Sequence, residues 1–282
     1  MKAATTFKGI AFPEALRWHA GELWFSDVLA GVVYRGDITT GQLHTEAEIS
    51  PVVSGLGWLR TGELLVVDCV KRAVVRKELD GQLSMHSDLS SHWEFSANDM
   101  LVDSDETVWV GTYGFNPEKD SPVSADLARI AHGIVSFPVS GLVFANGIAR
   151  IDEERIVVAE TFADRISIIQ TSGEIKVLKQ IQLPSNATPD GLVVDNQGFA
   201  WVASAYGQAI LRVNLETGEA ERAIEIPDRG VYDCTFGGEN LDKLYVATSD
   251  TDETHVLRDL PGEILCFDLT LEFPGVQGMG NK

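Results

Sequence analysis

Short runs in which apolar and polar residues alternate, separated by tight polar turns, recur along the whole chain. In one stretch, the alternation that ends at Val102 is followed by a polar turn, residues 103–106, and by a second apolar run, residues 108–110. A period of two residues is typical of half-buried β-strands, so each such stretch predicts two strands joined by a hairpin. A helical pattern is confined to residues 124–129, where one short helix is predicted.

The same plan returns six times, each time opening at a polar residue that precedes an apolar strand. The opening residues, 40 to 48 positions apart, are Glu14, Ser54, Asn98, Asn146, Asp190 and Asp233. Four short strands in a repeat of roughly 40–50 residues are typical of a propeller blade. The sequence therefore predicts an all-β fold, a six-bladed β-propeller. No linker rich in Pro, Gly or Ser divides the chain, so residues 1–282 are predicted to form a single domain.

Three segments extend this plan. Residues 5–12 precede the first repeat, and we expect them to add the outer strand of the last blade and so cover its edge. The third and sixth repeats carry insertions, residues 115–132 and 251–261, between their second and third strands. Because strand direction alternates within a blade, both insertions should overhang the face that carries the opening residues. They are interpreted as a lid or specificity wall, with tolerated surface insertions as the alternative.

The innermost strands of a propeller converge on its axis, so the six opening residues should ring one end of the central channel. Converging carboxylate and amide oxygens suit a hard divalent cation. Asn and Asp before Gly, as at Asn146 and Asp190, are also common turn residues, and that alternative stays open for each position alone. Six polar residues at equivalent positions of the six repeats favour a metal site. Oxygen ligands make calcium the expected ion and leave zinc, manganese and magnesium open.

The stretches around the opening residues carry a family resemblance. They read PEALRWHAGELWFSD, NDMLVDSDETVWVGTYG, FANGIARIDEERIVVAE, TPDGLVVDNQGFAWVASAYG and CTFGGENLDKLYVATSD. In this order and at this spacing the chain resembles the senescence marker protein, gluconolactonase and luciferin-regenerating enzyme family, which includes regucalcin. The resemblance implies a six-bladed propeller with one divalent metal in its channel. It implies metal ligation by Glu14, Asn146 and Asp190, with Asn98 either touching the metal or binding substrate through water. It also implies that Asp190 is the catalytic base.

The chain departs from the family pattern at Ser96. Sugar-lactone members usually carry an arginine there, two residues before the asparagine, and that arginine is expected to hold substrate hydroxyls or a carboxylate. Large side chains nearby indicate a less polar substrate, or else they pack within the blades; they are Trp93, Phe95, Tyr113 and Phe115. The predicted substrate-binding residues are Asn98, Ser96, Phe115 and Tyr113.

Charge and cysteine content restrict the partners and the compartment. The formal net charge of −20 repels phosphate backbones, so nucleic acid is not an expected partner. The same charge is compatible with cation binding, although acidity is also a common solubility device. Three separated cysteines, Cys69, Cys234 and Cys266, form no disulfide framework and favour a reducing compartment. Neither a signal peptide nor an apolar stretch of roughly 20 residues is present, so a cytoplasmic location away from membranes is expected.

These observations together predict a metal-dependent lactonase that acts on a small molecule. Asp190 would take a proton from the attacking water, Glu14 and Asn146 would fix the ion, and Asn98 would orient the substrate. Asp233 is an additional candidate base, and His132 and His255 lie in the insertions, within reach of a substrate. Two alternatives stay open: another enzyme on the same metal site (a phosphotriesterase-like hydrolase, a hydratase or a lyase), or a non-enzymatic propeller that binds a metal or a protein partner.

Overall fold

A ring of six antiparallel sheets forms the molecule. The computed structural model describes residues 1–279, and each of the six sheets in it has four strands. The innermost strand of every sheet contacts the innermost strands of the two neighbouring sheets, so the sheets are blades around one axis. The six-bladed β-propeller predicted from the repeats is confirmed. That residues 1–282 form a single domain stays a prediction, since residues 280–282 lie outside the described range.

Strands are numbered along the chain, and consecutive strands pair within each blade. The N-terminal strand and the first two blades contain β1 (Ala4–Ile10), β2 (Pro13–His19), β3 (Glu22–Asp27), β4 (Val32–Asp37), β5 (Gln42–Glu48), β6 (Val53–Trp58), β7 (Leu64–Asp68), β8 (Ala73–Lys77) and β9 (Leu83–Asp88). The third and fourth blades contain β10 (Ala97–Val102), β11 (Val108–Thr112), β12 (Ala125–Ala131), β13 (Ile134–Leu142), β14 (Ala145–Arg150), β15 (Arg155–Glu160), β16 (Arg165–Gln170) and β17 (Lys176–Gln182). The last two contain β18 (Pro189–Val194), β19 (Phe199–Ser204), β20 (Ala209–Asn214), β21 (Ala220–Glu225), β22 (Gly230–Gly237), β23 (Lys243–Ser249) and β24 (Gly262–Asp268).

The N-terminal strand closes the ring. The sixth blade has the order β1-β24-β23-β22, so its outer strand comes from the start of the chain. Antiparallel pairing of β1 with β24 aligns Thr5 with Leu265 and Ile10 with Gly262. This pairing covers an edge of β24 that would otherwise expose unpaired backbone groups, as predicted for residues 5–12.

Buried apolar side chains from adjacent blades pack against each other and form the core. Two of the largest, Trp109 and Trp201, are almost fully buried. Each indole is hydrogen-bonded to an aspartate of the preceding hairpin turn: Trp109 Nε1 donates to Asp103 Oδ2 at 3.1 Å, and Trp201 Nε1 donates to Asp195 Oδ2 at 2.9 Å. The polar turns therefore shape the hairpins and also satisfy the one polar atom that each tryptophan buries.

Every inner strand is irregular close to its start. In the second blade Val53 pairs with Asp68 and Leu56 pairs with Val66, which leaves Ser54 and Gly55 outside the ladder. The same two-residue interruption follows the start of the inner strand in the first, third, fourth and fifth blades, and the sixth has a shorter one. Because a bulge bends the strand and redirects its side chains, it can turn polar residues towards the axis.

The insertions differ in part from the prediction. The second insertion spans 250–261, as expected, and contains a 3-10 helix, Glu253–His255, and a short α-helix, α1 (Val256–Asp259). The first spans only 113–124, because residues 125–131 form β12, which pairs with both β11 and β13. The helix predicted at 124–129 is therefore wrong: Leu127, Ala128 and Ile130 are buried in the blade, where strand pairing outweighs local helical preference. No helix within residues 1–279 is long and apolar enough to cross a membrane.

Candidate functional site

The bulges bring one residue of each blade to the mouth of the channel. In the second to fifth blades these residues lie within the bulges and are Ser54, Asn98, Asn146 and Asp190. In the first blade Glu14 pairs with Ser26 and directly precedes the bulge. In the sixth blade the backbone contact of Val231 with the preceding blade matches that of Val53, so Tyr232 occupies the ring position. The predicted register is thus off by one residue there: Asp233 lies one position deeper and is equivalent to Asp99. The inner strand of this blade starts early, at Gly230, which spacing alone does not reveal.

A narrow pocket at the channel mouth collects most of the predicted ligands. Its lining residues are Glu14, Ala15, Ser54, Asp99, Asn146, Asp190, Gly191, Tyr232 and Asp233. Glu14, Asn146 and Asp190, here called the upper tier, therefore share one pocket. Asn98 is not among the lining residues, and its amide nitrogen lies 3.4 Å from the carbonyl oxygen of Ala145.

Two glycines allow the inner strands to converge this tightly. A Cβ atom on Gly147 would lie 2.6 Å from the backbone oxygen of Asp190, and one on Gly191 would lie 1.9 Å from Oδ1 of Asp233. Both distances are far inside van der Waals contact, so only glycine fits. The Asn-Gly and Asp-Gly pairs are therefore close-approach positions that bring the carboxylates and the amide together around the axis.

Asp190 has the least satisfied side chain of the upper tier. It is buried, and its Oδ1 has no hydrogen-bond partner. Burial raises the pKa of Asp190 well above its usual range, and the charges of Asp233 and Asp99 raise it further. A buried acceptor with no donor is unfavourable by about 1–3 kcal/mol, so the binding of a proton donor or a cation to this oxygen would be favourable.

The other two members of the upper tier are held by neighbouring side chains. Burial raises the pKa of Glu14 well above its usual range, and the charge of Asp190 adds to the effect. The Ser54 hydroxyl donates to Glu14 Oε2 at 3.4 Å. The amide nitrogen of Asn146 donates to Thr161 Oγ1 at 3.2 Å, which leaves the amide oxygen free. Two carboxylates and one amide oxygen suit a hard divalent cation.

The upper tier offers three ligands to a cation only when the amide oxygen of Asn146 is counted with the two carboxylates. Within residues 1–279, no three His, Cys, Asp or Glu side chains form a metal-binding group by themselves. None of the pocket's lining residues is basic, whereas four of them are carboxylates: Glu14, Asp99, Asp190 and Asp233. Such an excess of buried negative charge is costly unless protons or a cation offset it, and a divalent ion held by the upper tier would do so.

Deeper in the channel, Arg17 neutralises part of this charge. Its Nη2 lies 2.7 Å from Asp99 Oδ1, and its Nη1 lies 3.7 Å from Asp233 Oδ2. The guanidinium also donates to the backbone oxygens of Leu56 and Met100, so this side chain of the first blade contacts three other blades. Arg17, Asp99 and Asp233 are here called the lower tier. Against the pull of Arg17, burial still raises the pKa of Asp233 to about 7.

Sequence reasoning missed Arg17. A signal was nevertheless present, because the equivalent positions of the other five inner strands are uncharged: Gly57, Leu101, Ala149, Val193 and Thr235. A lone arginine in a converging apolar strand indicates a buried acidic partner. The sequence also shows the partner, Asp99, next to Asn98. Arg17 and Asp99 are far apart in the chain, so the sequence does not reveal that they are in contact.

A second cavity, of about 390 Å³, lies beside the pocket on the same face. Its lining residues are Val70, Arg72, Glu94, Phe95, Ser96, Tyr113, Phe115, Asn116, Pro117 and Glu118. Three of the predicted substrate-binding residues, Ser96, Tyr113 and Phe115, thus meet at one cavity, whereas Trp93 is buried in the blade core. Burial raises the pKa of Tyr113 well above its usual range, and the charges of Glu14 and Asp190 add to the effect.

The insertion at 250–261 approaches the pocket. Tyr232, which lines the pocket, shares a buried apolar cluster with Val256 of this insertion and donates from its hydroxyl to the backbone oxygen of Asp250 at 3.0 Å. Burial raises the pKa of Glu253, and the charge of Glu118 on the other insertion adds to the effect. The charge of Glu253 in turn adds to the raised pKa values of Glu14 and Asp190. This placement agrees with the predicted face, and the role of a lid stays a prediction.

The two histidines assigned to the insertions have different positions. His132 lies in the exposed turn between β12 and β13, at the end of the blade opposite the pocket. The expectation that it could reach a substrate is therefore wrong, because the strand β12 replaces the predicted loop. His255 does lie in the second insertion, but its Nε2 is 2.9 Å from Asp250 Oδ2, and it lines neither cavity.

Comparison with known proteins gives a consistent picture. The sequence profile of the SMP-30/Gluconolactonase/LRE-like region matches residues 12–250. The chain is similar to the pentonolactonase XacC of Haloferax volcanii, with 28% identity over 83% of this chain and 80% of that protein.

Solved structures show the same fold. A luciferin-regenerating enzyme superimposes with a TM-score of 0.83 at 20% identity, covering 99% of this chain and 98% of that one. A regucalcin of Agrobacterium tumefaciens, described as a calcium-binding protein, superimposes with a TM-score of 0.76 at 17% identity, covering 96% and 92%. The match of the profile to most of the chain establishes that this protein belongs to the SMP-30/Gluconolactonase/LRE-like family.

Proposed function

We propose that this protein hydrolyses a lactone with the help of one divalent metal ion, calcium being the expected ion. The observation that carries the proposal is the upper tier itself. Two carboxylates and an oriented amide share one pocket, and a buried oxygen of Asp190 has no partner there. Membership of a family named after gluconolactonase, and similarity to a pentonolactonase, support a lactone as the substrate.

Glu14, Asn146 and Asp190 would hold the ion. When bound, a divalent cation supplies Lewis acidity for an ester carbonyl and lowers the pKa of a coordinated water. Asn98 stays a proposed further ligand or a substrate contact through water, although its side chain lies outside the pocket lining. Oxygen donors leave zinc, manganese and magnesium as alternatives to calcium.

The residues of the chain divide the remaining work between them. Asp190 would accept the proton of the attacking water, since its Oδ1 has no hydrogen-bond partner in the pocket. Ser96, Tyr113 and Phe115 would position the lactone from the second cavity, with aromatic surfaces against its ring. The half-buried Tyr113 would contact the lactone from the wall of this cavity.

A lactone panel on metal-stripped protein, with each divalent ion restored in turn, tests the proposal. We expect ring opening that requires the ion, and a loss of roughly 10²–10⁴-fold in kcat for Asp190→Asn, the usual range for a general base. Asp80→Asn is the matched control, because Asp80 lies in an exposed turn and only caps the backbone of Gln82. The panel runs from aldonolactones to alkyl lactones and so also measures how polar a substrate the site accepts.

Two outcomes would redirect the assignment. Metal binding without turnover of any lactone would overturn it and favour a phosphotriesterase-like hydrolase, a hydratase, a lyase or a metal-binding propeller. Lactone turnover that is unchanged by Asp190→Asn would remove Asp190 as the base. The cytoplasmic location stays a prediction that fractionation of cells can test.

A further inference from the structure

The second cavity contains one cation, Arg72. Hydrogen bonds from Ser90 lower the pKa of the Asp88 carboxyl, and the charge of Arg72 adds to this effect without forming an ion pair with Asp88. Arg72 is the only basic residue among its ten lining residues. Within residues 1–279 its guanidinium forms no ion pair, and its one hydrogen bond runs from Nη1 to the backbone oxygen of Val70 at 3.2 Å. Its Nε is buried and has no partner. An arginine side chain has five N–H donors and no acceptor, so most of its capacity is unused.

The turn that carries Arg72 is held by its backbone. Arg72 lies between β7 and β8 of the second blade with a φ of 55°, a left-handed conformation. Its N–H donates to the oxygen of Cys69 at 3.3 Å, and its oxygen accepts from the N–H of Leu89 at 2.9 Å. The base of the side chain is therefore fixed at the wall of the cavity.

The other walls determine what kind of molecule fits. Phe95, Tyr113 and Phe115 present aromatic surface, and Tyr113 stacks on Phe144 with ring centroids 4.2 Å apart. Glu94 and Glu118 also line the cavity, yet neither pairs with Arg72, and both are exposed at its rim. The cavity thus combines aromatic walls with one guanidinium that has unused N–H donors, and these can pair with a carboxylate on a small ring.

We infer that the substrate is a lactone that bears a carboxylate, and that Arg72 binds this carboxylate while the ring ester faces the upper tier. The inference rests on the proposed lactonase function. Arg72 comes from a different blade than Ser96, so the chain would recognise an acidic substituent without a cation at position 96. The reaction adds one water: its oxygen joins the carbonyl carbon, the ring C–O bond breaks, and the ring oxygen becomes a hydroxyl. The product is a hydroxy dicarboxylate, because the new acid releases its proton.

Matched substrates test this assignment. The probes are 5-oxotetrahydrofuran-2-carboxylate, its methyl ester and unsubstituted γ-butyrolactone. We expect the wild-type enzyme to have a kcat/KM for the acid roughly 10- to 100-fold above that for the methyl ester, the range of a charge-assisted hydrogen-bonded pair. Arg72→Gln should remove this preference mainly through KM and leave turnover of γ-butyrolactone within about twofold, and Arg72→Lys should restore part of it.

Controls separate this inference from the lactonase assignment. Arg258→Gln removes an exposed arginine of the second insertion that pairs with Asp259, and it should leave the preference unchanged. Calorimetry with cyclopentanecarboxylate, which cannot be hydrolysed, measures binding alone; we expect Arg72→Gln to weaken it roughly tenfold or more. If no lactone is hydrolysed but this binding depends on Arg72, the proposed function fails and the carboxylate site stands. Equal binding by wild type and Arg72→Gln, or preference for the methyl ester, overturns the site.

Discussion

The two tiers of the channel contain similar residues but differ in their partners. In the lower tier, Asp99 and Asp233 face Arg17 and accept backbone N–H groups of Met100, Leu16 and Cys234. In the upper tier, Glu14 and Asp190 face each other and a single amide, and Asp190 Oδ1 has no partner. The charge of the lower tier is thus partly neutralised by Arg17, whereas no cationic side chain among the described residues lines the pocket beside the upper tier.

This difference separates structural carboxylates from ligand-binding ones. A buried acid that is fully hydrogen-bonded and paired stabilises the fold, and removing its partner leaves a costly charge. A buried acid without a partner lowers stability in the free protein and gains from a bound cation. Burial alone does not distinguish the two cases, because it raises the pKa of acids in both tiers. The partners make the distinction, and they can be changed one at a time.

The largest effect is expected from removal of Arg17. Arg17→Met should lower the free energy of unfolding by about 3–5 kcal/mol, because two buried carboxylates lose their cation. Urea denaturation of the metal-free protein measures this loss. The triple variant Arg17→Met, Asp99→Asn, Asp233→Asn should recover most of it. A loss below about 1 kcal/mol for Arg17→Met alone would show that the lower tier is not a structural ion-pair cluster.

The next effect is a pH dependence of stability that comes from Asp233. Its pKa is raised to about 7 in the folded protein, so the folded state keeps a proton that the unfolded state loses near pH 4. The contribution of Asp233 to the free energy of unfolding is fully present below about pH 4 and is lost as the pH rises through 7, with a slope of at most about 1.4 kcal/mol per pH unit. Urea titrations between pH 5 and pH 8 should therefore show a smaller decline for Asp233→Asn than for wild type. Parallel declines would contradict the raised pKa.

The smallest effect concerns Asp190 in the metal-free protein. Asp190→Asn should raise the free energy of unfolding by about 1–2 kcal/mol, because it removes a buried negative charge that the charges of Asp233 and Asp99 disfavour. Asp99→Asn, the matched change in the lower tier, should lower it, since Arg17 loses an ion pair at 2.7 Å. Saturating calcium should then stabilise wild type by more than Asp190→Asn. Thermal denaturation with and without the ion measures the stability of each variant and the stabilisation by calcium. If Asp190→Asn and Asp99→Asn change the stability equally, the two tiers do not differ as described.

Sequence periodicity predicted the architecture well for a local reason. Each blade is built from neighbouring hairpins, so alternation and turn residues within about 45 residues specify it. The N-terminal outer strand and the face that carries both insertions also follow from the repeat. The predicted helix at 124–129 was wrong because its apolar residues are buried by pairing with β11 and β13, which a local pattern cannot show.

The candidate site was predictable only where polar residues recur at equivalent positions of successive repeats. Glu14, Asn146 and Asp190 follow from the repeat together with the family resemblance, and the structure places them in one pocket. The repeat alignment placed Asp233 at the ring position, but Asp233 lies one residue further along its strand, because the sixth inner strand starts early. Ser96, Tyr113 and Phe115 do meet at one cavity, but its cation, Arg72, comes from the neighbouring blade.

The sequence by itself determined the number of blades, the closure of the ring and the polar residues that open the inner strands, because these depend on short-range alternation and turn chemistry. Only the tertiary structure decided which acids have partners. Arg17 and Asp99 are far apart in the chain, and so are Arg72 and Tyr113, and each pair meets only when the inner strands and their loops converge around the axis. Charge compensation acts through space over a few ångströms, so the chemistry of the channel is a property of the closed ring.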